Sequence, residues 1–199
     1  MTMGGREVKL ARHGFARKQE WKLEEQSDNM VALSLSSADH AELLEQYPYP
    51  FKIVARYTID SEKVAMSYEV TNEGTEDMPF FVGGHPGFKC PLDEGESYDD
   101  YELRFEQREA AELCTAVPST GLIDVEHRSK NPMIDQNLPL THELFDFAET
   151  IFDVLESRVV TLTKKTEDKG VRLTFPDMPY LIVWSKPEGD FVAVEPWGG

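Results

Sequence analysis

The sequence predicts an all-β protein, a large antiparallel β-sandwich, on two observations. At least eight stretches alternate apolar and polar residues with period two, and no long helical segment is available to cross over between parallel strands. Gly, Pro and acidic residues punctuate the stretches, which is the chemistry of short turns.

In chain order, the first clear strand is the run from Phe51 to Ile59. Phe51, Ile53, Ala55, Tyr57 and Ile59 share one face, and Lys52, Val54, Arg56 and Thr58 share the other. Val64, Met66, Tyr68 and Val70 repeat the pattern after the polar turn Asp60-Ser61-Glu62-Lys63, so the two runs read as a hairpin. Asn72-Glu73-Gly74 breaks the chain before a strand expected over Met78 to Val82. Further strands are expected at Tyr101 to Phe105, Val159 to Leu162, Val171 to Phe175, Tyr180 to Trp184 and Phe191 to Val194. Helical spacing is confined to Ser37 through Gln46, capped by Ser37 or Asp39, and to one turn over Thr141 to Phe147; both read as connectors. The segment from Thr115 to Pro139 holds Pro118, Gly121, Asn131 and Pro132 with little periodicity and reads as a long loop, functional if near a site.

Composition narrows the function classes. With 199 residues, 40% hydrophobic and 11% aromatic, the chain can bury a real core, and it is read as one domain over residues 1–199. Lys and Arg number 20 against 37 Asp and Glu, a formal charge of -17, which through general electrostatics disfavours nucleic acid and anionic membrane surfaces as main partners. The acidic residues are scattered, as on a solvated surface. Cys90 and Cys114 form no CxxC and have no close histidine at ligand spacing, so neither a zinc framework nor a disulfide scaffold is indicated. No cleavable apolar segment follows Met1, and no apolar run approaches the roughly 20 residues that span a bilayer. A soluble cytoplasmic protein with two free thiols and no metal is expected.

Three short constellations could carry chemistry. In Phe80-Phe81-Val82-Gly83-Gly84-His85-Pro86-Gly87-Phe88 an apolar run stops at two glycines and presents His85. Alone, it reads equally as a strand end with a chance histidine and as a presented functional group, and the latter needs partners elsewhere. In His13-Gly14-Phe15-Ala16-Arg17, followed by Trp21, an imidazole and a guanidinium bracket a small aromatic segment. Those groups can bond hydroxyl oxygens, and an aromatic face can pack on the apolar face of a sugar ring. In Val192-Ala193-Val194-Glu195-Pro196-Trp197 an apolar strand delivers a carboxylate, which is costly to bury unless paired.

Together, and in this order, the three segments resemble the aldose 1-epimerase (mutarotase) family, in the form of its shorter bacterial branch. The match rests on His13 to Trp21, on Gly84-His85-Pro86-Gly87-Phe88 and on Glu195-Pro196-Trp197. The His-Gly-Phe-Ala-Arg form is also shared with hexose-6-phosphate mutarotases. The resemblance implies a galactose mutarotase-like β-sandwich that binds a monosaccharide and needs no metal or organic cofactor. By motif, Glu195 would be the base that takes the anomeric proton and His85 the acid that protonates the ring oxygen. His13 and Arg17 would hold sugar hydroxyls, with Phe15, Phe88 and Trp184 or Trp197 packing on the ring. This reading requires a sugar-sized gap between the His85 ring and the Glu195 carboxylate, with neither group buried away.

The resemblance also sets two departures. Strands that the family places before His13 and after Gly199 are not in the sequence, so the sandwich is expected to be incomplete at both ends. A fragment, a homo-oligomer that covers the open edges, and a chain that has lost activity all remain open. For the further acidic residue with which mutarotases hold a hydroxyl, Asp146 and Asp153 are guesses. A non-catalytic carbohydrate-binding or sensing module competes with the enzyme, as does a mutarotase for phosphorylated hexose, which needs a cationic cluster.

Overall fold

The computed structural model describes residues 2–117, 119–146 and 148–199. The chain is all-β and antiparallel, and it divides into two compact units, Met1–Phe80 and Phe81–Gly199.

In the first unit, β1 (Thr2–Met3) and β2 (Arg6–Glu7) make a small ribbon. β3 (Lys22–Ser27), β4 (Met30–Ser36), β5 (Phe51–Asp60) and β6 (Lys63–Asn72) follow one another in a four-stranded sheet. The expected hairpin is present, with Phe51 opposite Asn72 and Asp60 opposite Lys63. Met3, Val8, Leu35, Leu43, Tyr47, Tyr49 and Phe51 form the core of this unit. The helical candidate at residues 37–46 reduces to a 3₁₀ turn, Ala41–Glu45, anchored by buried Leu43. Its N-cap, His40, makes no side-chain cap bond, and Pro48 and Pro50 follow directly, so nothing extends the turn.

The second unit is a two-sheet sandwich. Its strands are β7 (Val82–Gly83), β8 (Gly87–Lys89), β9 (Tyr101–Phe105), β10 (Leu113–Val117), β11 (Leu122–Ser129) and β12 (Asn137–Pro139). They continue with β13 (Thr150–Phe152), β14 (Val159–Lys164), β15 (Gly170–Thr174), β16 (Tyr180–Trp184) and β17 (Phe191–Gly198). The large sheet runs β11-β10-β13-β16-β17, with β7 and β8 both paired to β17, and the small one runs β12-β9-β14-β15. Leu103, Phe105, Val160 and Leu162 of the small sheet meet Phe152, Leu181, Val183, Val192 and Val194 of the large one in a single apolar core. Burying each such side chain contributes about 1.5–3 kcal/mol, so this interface is the main stabilising feature of the unit.

Several expectations change. Of Met78 to Val82, only Val82 is in a strand: Pro79 lacks a ladder donor, and Phe80 and Phe81 are 40% and 71% exposed. The presumed loop from Thr115 to Pro139 contains the end of β10, all of β11 and β12; Pro118 lies outside the described residues. β11 forms the sheet edge and is exposed along most of its length, and its adjacent apolar residues Leu122 and Ile123 break the period of two by which β6, equally exposed, is recognised. The turn at Thr141 to Phe147 is a 3₁₀ segment, His142–Phe145, and Phe147 is outside the described residues.

Candidate active site

The large sheet has one face on the sandwich core and one turned away from it. Successive residues of a strand point to opposite faces, so Val192 and Val194 enter the core while Ala193, Glu195 and Trp197 share the outer face. Register then aligns a row across four strands: Cys114 opposite Ile151, Ile151 opposite Ile182, and Ile182 opposite Glu195.

The same arithmetic places His85. β8 pairs Gly87 with Ala193, and β7 pairs Gly83 with Trp197, which is one register for both strands and sets His85 opposite Glu195. Gly84 N–H donates to the Pro196 carbonyl at 3.0 Å and Val194 N–H to the Pro86 carbonyl at 3.1 Å. In an unbroken ladder each of those pairs would exchange two bonds, but Pro86 and Pro196 have no N–H to return. The ladder is therefore half-made on either side of His85, and β7 and β8 count as separate strands. His85 and Glu195 occupy the non-hydrogen-bonded position between, where side chains of an antiparallel pair lie closest.

Their side chains are in contact: His85 Nδ1 lies 3.2 Å from Glu195 Oε1. The carboxylate is 4% exposed and the imidazole 46%, so a buried acid is covered by a more open ring. The sugar-sized gap that the sequence reading required is not present; cross-strand register closes it. On the same face, glycines at 83 and 87 leave both flanks of the imidazole without side chains. A Cβ on Gly83 would fall 2.6 Å from Trp197 Cδ1 and 2.9 Å from Cγ, so glycine is what lets the indole lie beside His85.

Aromatic rings flank the pair. Trp197 packs on the outer-face cluster of Cys114, Ile151 and Ile182, and its cross-strand partner Tyr180 is 37% exposed. Trp184, partnered with Ala193, stands on the other side of the Glu195 row and meets Phe191 edge to face, with ring centroids 5.7 Å apart. Thus Glu195, His85 and Trp184 come together. Phe88 does not join them: it is paired with Val192 and packs on the sandwich core, on the opposite face of the sheet.

The remaining predicted residues belong to the Met1–Phe80 unit. His13 sits at a turn with φ 68° and is exposed, and Arg17 is exposed in the 3₁₀ turn Ala16–Lys18. Phe15 is half-buried, with its ring centroid 5.4 Å from Phe51 and 6.2 Å from Tyr47, a packing role in that unit's core. Trp21 Nε1–H donates to the Ala16 carbonyl at 3.0 Å and ties the segment into a closed loop.

The outer face carries one further charged pair, missed because β11 was read as loop. Arg128 Nη1 and Nη2 donate to Asp153 Oδ1 and Oδ2 at 2.9 and 2.6 Å, a bidentate fork, and Nη1 also donates to the Glu112 carbonyl at 2.9 Å. Asp153 follows β13 directly, two residues after Ile151, which places it on the same outer face; the Cys114 thiol donates to the Ile151 carbonyl at 3.9 Å. The Arg128 guanidinium holds the Asp153 carboxyl below the usual range, and burial, then Asp153, pushes the Cys114 thiol up to about 11. Cys114 and Cys90 are buried free thiols. Among the described residues no group of three or more His, Cys, Asp or Glu side chains is placed to hold a metal ion. Nor is any described helix long and apolar enough to cross a membrane.

With this geometry in place, comparison with known proteins is informative. The sequence profile of the aldose 1-epimerase family matches residues 4–199. The chain belongs to the aldose 1-epimerase family. It is 41% identical over 192 residues to the plasmid and chromosomal LacX proteins of Lactococcus lactis subsp. lactis, a match that covers 96% of this chain and 64% of theirs. The chain therefore spans just under two thirds of the length of these family members. Among solved structures it is similar to a galactose mutarotase-like protein from Lactobacillus casei, with a TM-score of 0.81 and 29% identity over 100% of this chain and 67% of that one. A galactose mutarotase related enzyme from Lactobacillus acidophilus gives a TM-score of 0.82 and 27% identity, covering 100% of this chain and 65% of that one. The family's fold is the antiparallel β-sandwich that the period-two segments predicted.

Proposed function

We propose that this family member is an aldose 1-epimerase that interconverts the anomers of a free hexose. Glu195 takes the proton of the anomeric hydroxyl while His85 gives a proton to the ring oxygen. The bond between the anomeric carbon and the ring oxygen breaks, and a carbonyl forms at that carbon. Rotation about the bond to the second carbon presents the other carbonyl face, and reclosure with the two roles exchanged yields the other anomer. General acid and base assistance of this kind contributes roughly 10²–10⁴-fold.

What supports this reading is membership of the aldose 1-epimerase family over residues 4–199 together with the register that sets His85 opposite Glu195; the 3.2 Å contact and the burial of Glu195 count against it, since they leave no gap for a sugar until the imidazole moves. The anomeric hydroxyl and the ring oxygen share one carbon, so the base and the acid that serve them must be near neighbours. A sugar replaces the direct contact by donating its hydroxyl proton toward Glu195 and accepting from His85. The imidazole, being the more exposed partner, is the group that moves aside. Trp184, Trp197 and Tyr180 offer faces for the apolar side of the ring. On this face Arg128 is engaged by both oxygens of Asp153, which favours an uncharged hexose over a phosphorylated one.

Polarimetry of aldose anomers against the spontaneous rate tests the proposal. Glu195→Gln and His85→Asn should each lower turnover by at least about 10²-fold with a much smaller change in affinity. If the unmutated chain binds an aldose without accelerating the interconversion, the non-catalytic carbohydrate-binding reading replaces it; the buried, directly paired Glu195 is the feature that favours that alternative. If the variants lose fold and leave activity per folded molecule unchanged, the pair is structural.

A further inference from the structure

We propose that β6 is the edge through which two copies of this chain pair, antiparallel and about a two-fold axis at Met66, so that their four-stranded sheets continue into one another. β3 and β6 are the two edges of the sheet in the Met1–Phe80 unit, and they differ. β3 is six residues long, holds Lys22, Glu24 and Glu25, and shifts register against β4 between Leu23 and Glu25, features that keep a strand edge from pairing. β6 is ten residues long, contains no proline, pairs with β5 without a register shift and is exposed along most of its length. Lys63 and Glu69 are its only charged residues, so the strand is neutral in a chain of formal charge -17, which leaves it open to a second copy of equal charge.

The hydrogen-bond phase sets what this edge offers. Glu73 N–H donates to the Pro50 carbonyl and Ile59 N–H to the Asn29 carbonyl, both at 2.9 Å, so even-numbered residues along β5 bond toward β6 and odd-numbered ones toward β4. The odd-numbered residues of β6 face β5 in turn, and Val64 and Met66 direct their N–H and C=O groups to the open edge. Their side chains are 70% and 38% exposed, and with their cross-strand partners Ile59 and Tyr57, 55% and 37% exposed, they form an apolar patch against that edge.

Charge then selects the register. With Met66 opposite the partner's Met66, Val64 meets the partner's Tyr68, and exposed Lys63 meets the partner's Glu69 at a non-hydrogen-bonded position, where side chains lie closest. The two-fold axis makes that charge pair twice. A shift of two residues either way sets Lys63 opposite the partner's Thr71 or the partner's Ser67, and the charge pairs are gone.

Light scattering and sedimentation of the full chain over a range of concentrations test the proposal. The unmutated chain should dimerise in a concentration-dependent way. Lys63→Glu and Glu69→Lys each set like charges opposite one another twice and should raise the dimer Kd at least about tenfold, whereas the double variant exchanges the charges and should return to within about threefold of the unmutated value. Register is read separately by oxidation. Met66→Cys should give an intermolecular disulfide, since the Cα atoms of a hydrogen-bonded pair lie about 5.5 Å apart, and Val64→Cys, which faces a tyrosine, should not. Cys90 and Cys114 are 0% and 2% exposed, so the unmutated chain supplies no such link. A chain monomeric at every concentration overturns the proposal, as do a dimer indifferent to both charge reversals, a double variant no better than the single ones, and equal cross-linking from positions 64 and 66. None of these readouts depends on activity, so the result stands apart from the sugar chemistry.

Discussion

The two faces of the large sheet in the Phe81–Gly199 unit are built from the same strands and obey different rules. On β16 and β17 the inward residues Leu181, Val183, Val192 and Val194 are uniformly apolar and at most 2% exposed. The outward residues of those strands, Tyr180, Ile182, Trp184, Ala193, Glu195 and Trp197, mix a carboxylate with aromatic and small side chains. An inward position needs only volume and apolarity, so similar residues could replace one another there. An outward position such as Glu195 carries a buried polar group that must keep its partner. Stability is thus concentrated on one face and chemistry on the other, one residue apart along the chain.

That contrast can be broken by substitution. The largest expected effect is on the inward face, where Leu181→Ala should cost about 2–5 kcal/mol in denaturant melts and leave affinity for an aldose unchanged per folded molecule. An unchanged melting midpoint would show that the core does not rest on this strand. Gly83→Ala on the outer face forces a methyl into the Trp197 indole and should cost about 1–3 kcal/mol with a shift in tryptophan emission. Gly87→Ala is the matched control, since its added carbon meets only Phe191 Cδ2 at 3.7 Å, and its melting temperature should stay near that of the unmutated chain. Equal effects at 83 and 87 would mean that the indole is not held where the geometry puts it.

The smallest effect concerns acid. Asp153 has a folded pKa held down first by its bond to Arg128, so its contribution to stability is complete above the ordinary carboxyl value of about 4. It is lost as pH falls through the lower folded value. Asp153→Asn should therefore flatten the acid limb of a stability profile below about pH 4 and lower stability at neutral pH. An acid limb unchanged in slope would remove the Arg128 pair from the list of stabilising contacts on this face.

Much of the architecture is legible in local patterns. Period-two alternation marks β5, β6, β9 and β16, although β6 is an edge strand exposed along most of its length, and the hairpin of β5 and β6 follows from the polar turn between two such runs. The residues of one outer-face pair, His85 and Glu195, were also legible, since a histidine among glycines and a carboxylate ending an apolar strand stand out against their surroundings. β11 left no such trace, because the adjacent Leu122 and Ile123 break its alternation, and Arg128 was hidden with it. Alternation also says that a strand has two faces without saying which one meets a second sheet. That choice turned Phe88 toward the core and Trp184 away from it. The contact between His85 and Glu195 depends on pairing between strands far apart in sequence, with two prolines removing the flanking ladder donors. Register of that kind is a property of the assembled sheet, because no local propensity couples residues that meet only when the strands between them have found their places.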